Sequence, residues 1–337
     1  MRATRRAVLA LAGTGLMRPA AAARPIRVAY IPILGMAQLF VMLGEGWAAE
    51  AGLDLQLTRF SSGPAMVQAL ASGGYDVAYV GIGPAMIARA SGLDLRVVAA
   101  NGVNQGSLIG VGAFAAAYGV AASPVEAFAA FARTAGRPVR IATLPKGSVP
   151  DTVLRYWLDE VAHIDPATVQ VLGVGEDRVQ QALLAGTADA ASALEPILTI
   201  VQEREPSARI LVGGGQMFPN QPGAVLAMRD AFIQTQRETA LAIVRLHVQA
   251  TALIRTDPTR AAQSTLKLLG AGLIEEATMV RAFRSPSNNP VADPHAITAA
   301  TETLGAYQQR LGTLSRAVSA SELFDLTLYD ALTPGTR

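Results

Sequence analysis

Short apolar runs alternate with stretches of helical spacing along most of the chain. Residues 27–31 (RVAYI) read as a strand that the Pro-Ile-Leu-Gly stretch at 32–35 breaks. Residues 37–51 read as a helix, with Gly52 suited to end it. In 53–60, Leu53, Leu55 and Leu57 alternate as in a half-buried strand. The loop at 61–64 leads through Pro64 into a helix that stops at Gly73-Gly74. A strand at 76–80, a loop at 81–83, a helix opened by Pro84 and a strand at 95–100 complete the first unit. Strands are then expected at 139–143, 169–172, 188–192 and 209–212, with helices through 131 and at 149–162, 177–185 and 196–205. Residues 224–228 look like a returning strand. From 231 onward the spacing is helical, and Leu241, Val244, Val248 and Ala252 mark one face of a long helix ending near Asp257-Pro258. This alternation predicts an α/β fold with mainly parallel sheets flanked by helices.

One internal match organises the pattern. Gln68-Ala69-Leu70, Gly73, Asp76 and Ala78 recur as Gln181-Ala182-Leu183, Gly186, Asp189 and Ala191. In both copies a helix ends at glycine and a short turn enters a strand near aspartate. Two related lobes explain this better than two units of one sheet, because Gly213-Gly214-Gly215 and the strand at 224 suggest that the chain returns to its first lobe. The expected layout is lobe one over 24–112 and 214–337, lobe two over 113–213, and hinges near Gly110–Gly112 and Gly213–Gly215.

Composition narrows the function. The chain has 337 residues, 51% hydrophobic and 16% charged. Its mean hydropathy of +0.31 owes much to alanine, and beyond the N-terminus no run approaches the roughly 18 apolar residues of a spanning helix. Residues 1–23 hold four arginines and no acid. Without them, 24 of the 28 basic residues face 26 acidic ones. No basic stripe is present, so nucleic-acid binding is not expected. The absence of cysteine excludes disulfides, thiol catalysis and a lipid-anchored N-terminal Cys.

The N-terminus reads as an export signal over 1–23. Arg2, Arg5 and Arg6 precede an apolar run of about eleven residues, and Ala20–Ala23 offers small-residue cleavage sites. Thr4-Arg5-Arg6-Ala7-Val8-Leu9 fits a twin-arginine signal, with an ordinary Sec signal as the alternative. A periplasmic protein follows from either.

Phe60-Ser61-Ser62-Gly63, Ala69-Leu70-Ala71-Ser72-Gly73, Asp76, Gly81-Ile82-Gly83-Pro84, Lys146-Gly147-Ser148 and Glu195-Pro196, in that order, resemble the nitrate/sulfonate/taurine and thiamine-precursor group of ABC-transporter substrate-binding proteins. The resemblance implies a two-lobed, type II periplasmic-binding-protein architecture with the C-terminal helices on lobe one. It also implies a small-molecule ligand held between the lobes, and an ABC permease with its ATPase as partners; a monomer is expected. Carried over position by position, Gln38, Ser61, Ser62, Ile82, Gly83, Ser148, Val149 and Glu195 should line the cleft. Asn101 and Asn104 are further candidate contacts. Ser62 and Ser148 could equally be helix caps, Gln38 a solvated helix start, and Glu195 a cap for the helix at Pro196. The expected solute is a small polar or anionic organic molecule, with sulfonates such as taurine first and a thiamine-precursor pyrimidine or nitrate-like ligand as alternatives.

Enzyme readings lose. His163, His247 and His295 lack metal-ligand spacing, Gly81-Ile82-Gly83 lacks the third glycine of a dinucleotide loop, and no nucleophile elbow or phosphate-binding Walker loop occurs. No cofactor is expected. N-terminal sequencing of the exported protein should find a start between Ala21 and Pro25. Replacing Arg5 and Arg6 by lysine should impair export if the twin-arginine route operates.

Overall fold

A computed structural model describes residues 24–269 and 274–332; the export signal expected over 1–23 lies outside them. Among the described residues the strands are β1 (Ile26–Tyr30), β2 (Leu55–Arg59), β3 (Val77–Gly81), β4 (Leu95–Ala100), β5 (Ser107–Gly110), β6 (Val139–Thr143), β7 (Val169–Gly173), β8 (Ala190–Ala193), β9 (Arg209–Val212) and β10 (Ala224–Arg229). They form two five-stranded sheets, ordered β2-β1-β3-β10-β4 and β7-β6-β8-β5-β9. The first three strands of each order pair in parallel, and the fourth is antiparallel to both its neighbours. Four of five strands thus run one way, as the alternation of strand and helix predicts. The fourth makes each sheet mixed.

The helices that matter below are α1 (Ala37–Gly44), α2 (Gly63–Leu70), α3 (Ile82–Ala90), α4 (Val149–Tyr156), α5 (Glu176–Leu184), α6 (Ile197–Arg204), α7 (Arg237–Thr256), α8 (Pro258–Leu269), α9 (Glu276–Arg284) and α10 (Thr298–Arg310). The long helix α7 buries Ala240, Ile243, Val244, His247, Ala250, Thr251 and Ile254, a face rotated from the expected one. His247 lies at the centre of this face. Its ring lies within 2.7 Å of the Ala100 carbonyl and 3.3 Å of the Tyr79 hydroxyl, so a neutral imidazole is satisfied on both nitrogens. Burial pushes its pKa down to about 4.

The chain crosses between lobes earlier than expected. Ser107–Gly110 already pairs with β8 and β9 in the second sheet, which places the first crossing at 101–106 and Gly110 inside a strand. These four residues are wholly buried and show no alternation, so they read as loop in sequence. The return runs through 218–223, after a short helix at Gly214–Met217, and β10 joins the first sheet as the strand at 224 implies.

The internal repeat has a structural counterpart. Gly73 and Gly186 adopt left-handed φ values of 76° and 66°, which glycine tolerates without strain. The Asp76 carboxylate then accepts the Arg27 backbone N–H at 3.0 Å and pairs with Arg24 at 3.2 Å. The Asp189 carboxylate accepts the Arg140 N–H at 2.9 Å and two Arg137 N–H groups at 2.6 and 2.8 Å. Each aspartate also donates its own N–H to the same neighbouring strand, to Arg27 or Arg140. The pair of motifs pins β3 to β1 in one sheet and β8 to β6 in the other.

Burial of Asp189 opposes its ionisation, but the Arg137 hydrogen bonds, the Arg140 N–H and both guanidinium charges outweigh it and hold its pKa below the usual carboxylate range. The stabilisation is therefore present above the unfolded-state pKa and lost as pH falls through the lower folded value. Asp189→Asn should cost about 1.5–3 kcal/mol at pH 7. Urea denaturation should show the deficit shrinking as the pH is lowered toward 3.

Candidate functional site

The carboxyl ends of β1, β3, β6 and β8 meet where the two sheets face each other, the place where open α/β folds bind ligands. Ile31, Ile33 and Met36 follow β1, Gly81 ends β3, Leu144 follows β6, and Leu194 follows β8. With Gly63, Pro84, Ser148, Val149, Pro150, Val153, Ser192 and Gln221 they line an inner chamber of about 30 Å³, room for about one or two water molecules. No charged side chain is among its lining residues.

The lobes are drawn together around it. A Cβ on Gly81 would stand 3.0 Å from a Val149 methyl, and one on Gly83 would meet Gln308 at 2.9 Å and the Gly147 carbonyl at 3.2 Å. Around the rim, Arg59 pairs with Asp177 at 3.0 Å and Arg310 with Glu160 at 2.7 Å, while Tyr307 bonds Asp159 and Arg281 bonds Glu203. Exposed pairs of this kind are weak and screened by solvent, so they close the cleft without locking it.

A second, outer chamber of about 710 Å³ lies on the other side of a thin wall. The wall consists of two extended segments. Ile31 and Ile33 face the inner chamber while Pro32 faces the outer one; Leu194 and Pro196 divide in the same way. The Leu34 N–H donates to the Glu195 carbonyl at 3.1 Å and joins the segments, one from each lobe. Arg59, Glu176, Asp177, Gln180, Glu203, Arg204 and Glu275 make the outer chamber polar.

The candidate residues divide among three places. Ser148 and Val149 line the inner chamber. Ser148 also caps α4, accepting the Asp151 N–H at 3.4 Å. Ser62 caps α2, accepting from Ala65, and stands next to the lining residue Gly63. The Ser61 carbonyl accepts the Glu176 N–H across the cleft at 3.4 Å. Ile82 and Gly83 open α3 at the closed lobe contact, where Gly83 admits lobe two's own loop. Glu195 sits in the wall, its carboxylate accepting the Thr199 N–H at 3.0 Å; burial raises its pKa.

Gln38 and Asn101 lie inside lobe one, away from both chambers. The Gln38 amide donates to the Asn101 carbonyl at 2.7 Å and to Thr251 at 3.2 Å, and Asn101 donates to the Gly35 carbonyl at 2.9 Å. The helix that carries Gln38 is buried by α7 and α8, which lie some 200 residues further along the chain, so its position along the first loop said nothing of this. Asn104 holds the crossing, accepting the Gln221 N–H at 2.8 Å. Reading from sequence missed Ile31, Ile33, Met36, Leu144 and Gln221. The apolar ones look like strand ends and loop filler, and Gln221 stands in the crossing.

Glu176 is the most unusual side chain at the site. It is 7% exposed and opens α5, and no hydrogen-bond donor reaches its carboxyl among the described residues. Burial, reinforced by the Asp177 charge and opposed by Arg59, pushes its pKa up to about 8. The group favours the folded state most below its unfolded pKa, and that contribution is lost as pH rises toward 8.

This two-lobed arrangement, with chambers between the lobes, is the fold of a periplasmic binding protein. Residues 20–270 match the NMT1-like family, and the chain belongs to it. A binding protein of Brucella abortus (strain 2308) is 26% identical over 248 residues, covering 73% of this chain and 72% of that one. An ABC transporter periplasmic binding protein of Brachyspira hyodysenteriae is 23% identical over 248 residues, covering 72% and 69%. Among solved structures, the nitrate-binding protein NrtA from Synechocystis PCC 6803 aligns with a TM-score of 0.77 at 14% identity, over 90% or so of each chain (93% and 89%). The alkanesulfonate-binding protein SsuA from Xanthomonas axonopodis pv. citri, bound to MOPS, aligns at 0.70 with 18% identity, covering 90% and 99%. These relatives are binding proteins, not enzymes. Among the described residues no cluster of three or more His, Asp or Glu could hold a metal, and no helix is long and apolar enough to cross a membrane.

Glu176→Gln should flatten the fall in thermal midpoint between pH 5 and 8, because the amide has no charge to bury. Differential scanning calorimetry across that range measures it.

Proposed function

We propose that this chain is the extracytoplasmic substrate-binding component of an ABC importer, which captures a small organic solute between its lobes and presents the closed form to a permease and its ATPase. The observation that carries the reading is the inner chamber: residues from both sheets converge there at the carboxyl ends of their strands, and Ser148 opens a helix onto it. The family and the descriptions of the relatives support the transport role and a periplasmic setting.

The first-choice solute is an alkanesulfonate or amino-sulfonate. The apolar walls, from Ile31, Ile33, Met36, Leu144 and Val153, suit an alkyl body. The chamber offers an anionic head only neutral donors: the Ser148 hydroxyl and the N-terminal end of α4, whose partial positive charge favours an anion. Nitrate, which has no apolar body, uses these walls less well. At about 30 Å³ the closed chamber is smaller than any of these solutes, so binding requires the lobes to part and the walls to re-form around the ligand.

Calorimetric titration with butane-1-sulfonate should show binding that Ser148→Ala weakens by about tenfold to a hundredfold, the loss of one hydrogen bond to a charged group. Ser148→Ala should also cost about 1 kcal/mol of stability through the lost cap. Unchanged sulfonate affinity in Ser148→Ala and Ser62→Ala together would place the site elsewhere.

A further inference from the structure

We propose that the outer chamber is a binding site for a protonated amine, with the Glu176 carboxylate as its counter-charge. The inference rests on the cleft reading above and adds the chemistry of its outer half: the solute is one that carries, or can carry, an ammonium group.

The charges around the chamber decide this. Arg59, at the end of β2, is matched by Asp177 at 3.0 Å. Glu203, on α6, is matched by Arg281 and accepts the Thr278 hydroxyl at 2.8 Å. Arg204 on α6 and Glu275, just ahead of α9, are exposed to solvent at the rim. Once these are paired off or solvated, one carboxyl is left over, and it is buried. Glu176 lines the chamber at 7% exposure and has no hydrogen-bonded partner for its carboxyl among the described residues. A buried carboxylate without a partner is costly, and the group responds by holding its proton.

An ammonium group entering the chamber would supply what the fold withholds. Its N–H groups can donate to the Glu176 oxygens, and its charge makes the ionised form favourable. Gln180 and Gln181, on the next turn of α5, and the Ser61 carbonyl region offer neutral acceptors nearby. A sulfonate or nitrate would instead meet Glu176, Glu203 and Glu275. The wall between the chambers is half lobe one and half lobe two, joined by the Leu34–Glu195 hydrogen bond. Separation of the lobes therefore merges the two chambers, and a solute with an apolar body could reach both.

Binding of an ammonium to Glu176 displaces the carboxyl proton, so affinity must rise with pH until the group is ionised in the free protein. Above that it levels off. An alkylammonium keeps its own charge throughout, since its pKa is near that of lysine, about 10.4. The charged groups that face Glu176 are Asp177 and Arg59 beside it and Glu203, Arg204 and Glu275 across the chamber, so the Glu176→Gln variant is what isolates its share of the slope.

The test uses the mature chain and two probes with the same alkyl body and opposite heads, butylammonium and butane-1-sulfonate. Titration calorimetry should show butylammonium binding that strengthens between pH 6 and 8, approaching about tenfold per unit as one proton is released. Glu176→Gln should lose at least tenfold in affinity at pH 8.5 and show no slope. Glu176→Asp, which keeps the charge, should keep the slope. Butylammonium that gives no heat, or that binds wild type and Glu176→Gln alike, overturns the proposal. If butane-1-sulfonate still binds in a Ser148-dependent way, only the amine site falls and the cleft reading stands; if neither probe binds, both fall.

Discussion

The molecule depends on holding two chain crossings together as one unit, and Gln221 does this. Its N–H donates to the Asn104 side chain at 2.8 Å, its side-chain carbonyl accepts the Gly106 N–H at 2.7 Å, and its side-chain amide donates back to the Gly106 carbonyl at 3.1 Å. The Asn104 N–H completes the clasp on the Gln221 carbonyl at 2.9 Å. Gln221 is 1% exposed, so leaving any of these groups unpaired would cost the desolvation of a buried polar atom. With the two crossings bound to each other, any bending between the lobes must move both together. The same residue lines the inner chamber, so the joint and the site share a wall.

Closure and opening are then differences of small terms. Rim ion pairs, a backbone hydrogen bond across the wall and a few apolar contacts hold the lobes together, and none of these is strong alone. The buried Asp151, by contrast, is fully committed within lobe two: it accepts the Gly147 N–H at 3.2 Å and the Arg155 guanidinium at 2.9 Å. It shapes the loop that presents Ser148 and is itself a lining residue of neither chamber. Strong interactions are kept inside the lobes and weak ones between them, which is what a clamp that must release its cargo requires.

Much of the fold was legible in the chain because its signals are local. Strand alternation, glycine-ended helices and the repeated Gln-Ala-Leu…Gly…Asp pattern each sit within a dozen residues, and the Asp76 and Asp189 motifs do the same structural task in the two sheets. What was hidden is non-local. The strand Ser107–Gly110 is too short and too uniformly buried to show a period. Gln38 and Asn101 follow strands just as true cleft residues would, but helices folded over them from the end of the chain turn them inward. Ser148 could be read as cap and contact alike because both roles ask the same thing of a helix start. Glu176 went unnoticed since an acid in a helix's first turn is ordinary; only its burial sets it apart.

The position of the reversed strands has a consequence for how the protein is made. The sheet β7-β6-β8-β5-β9 draws on one unbroken stretch, from Ser107 to Val212. The other sheet needs β10 between β3 and β4, so β4 cannot join β1, β2 and β3 until Arg229 has left the ribosome. The lobe that begins first is therefore finished last. Until then the edges of β3 and β4 that β10 will cover have no partner, a window of exposure in which the nascent chain is open to aggregation and to capture by chaperones.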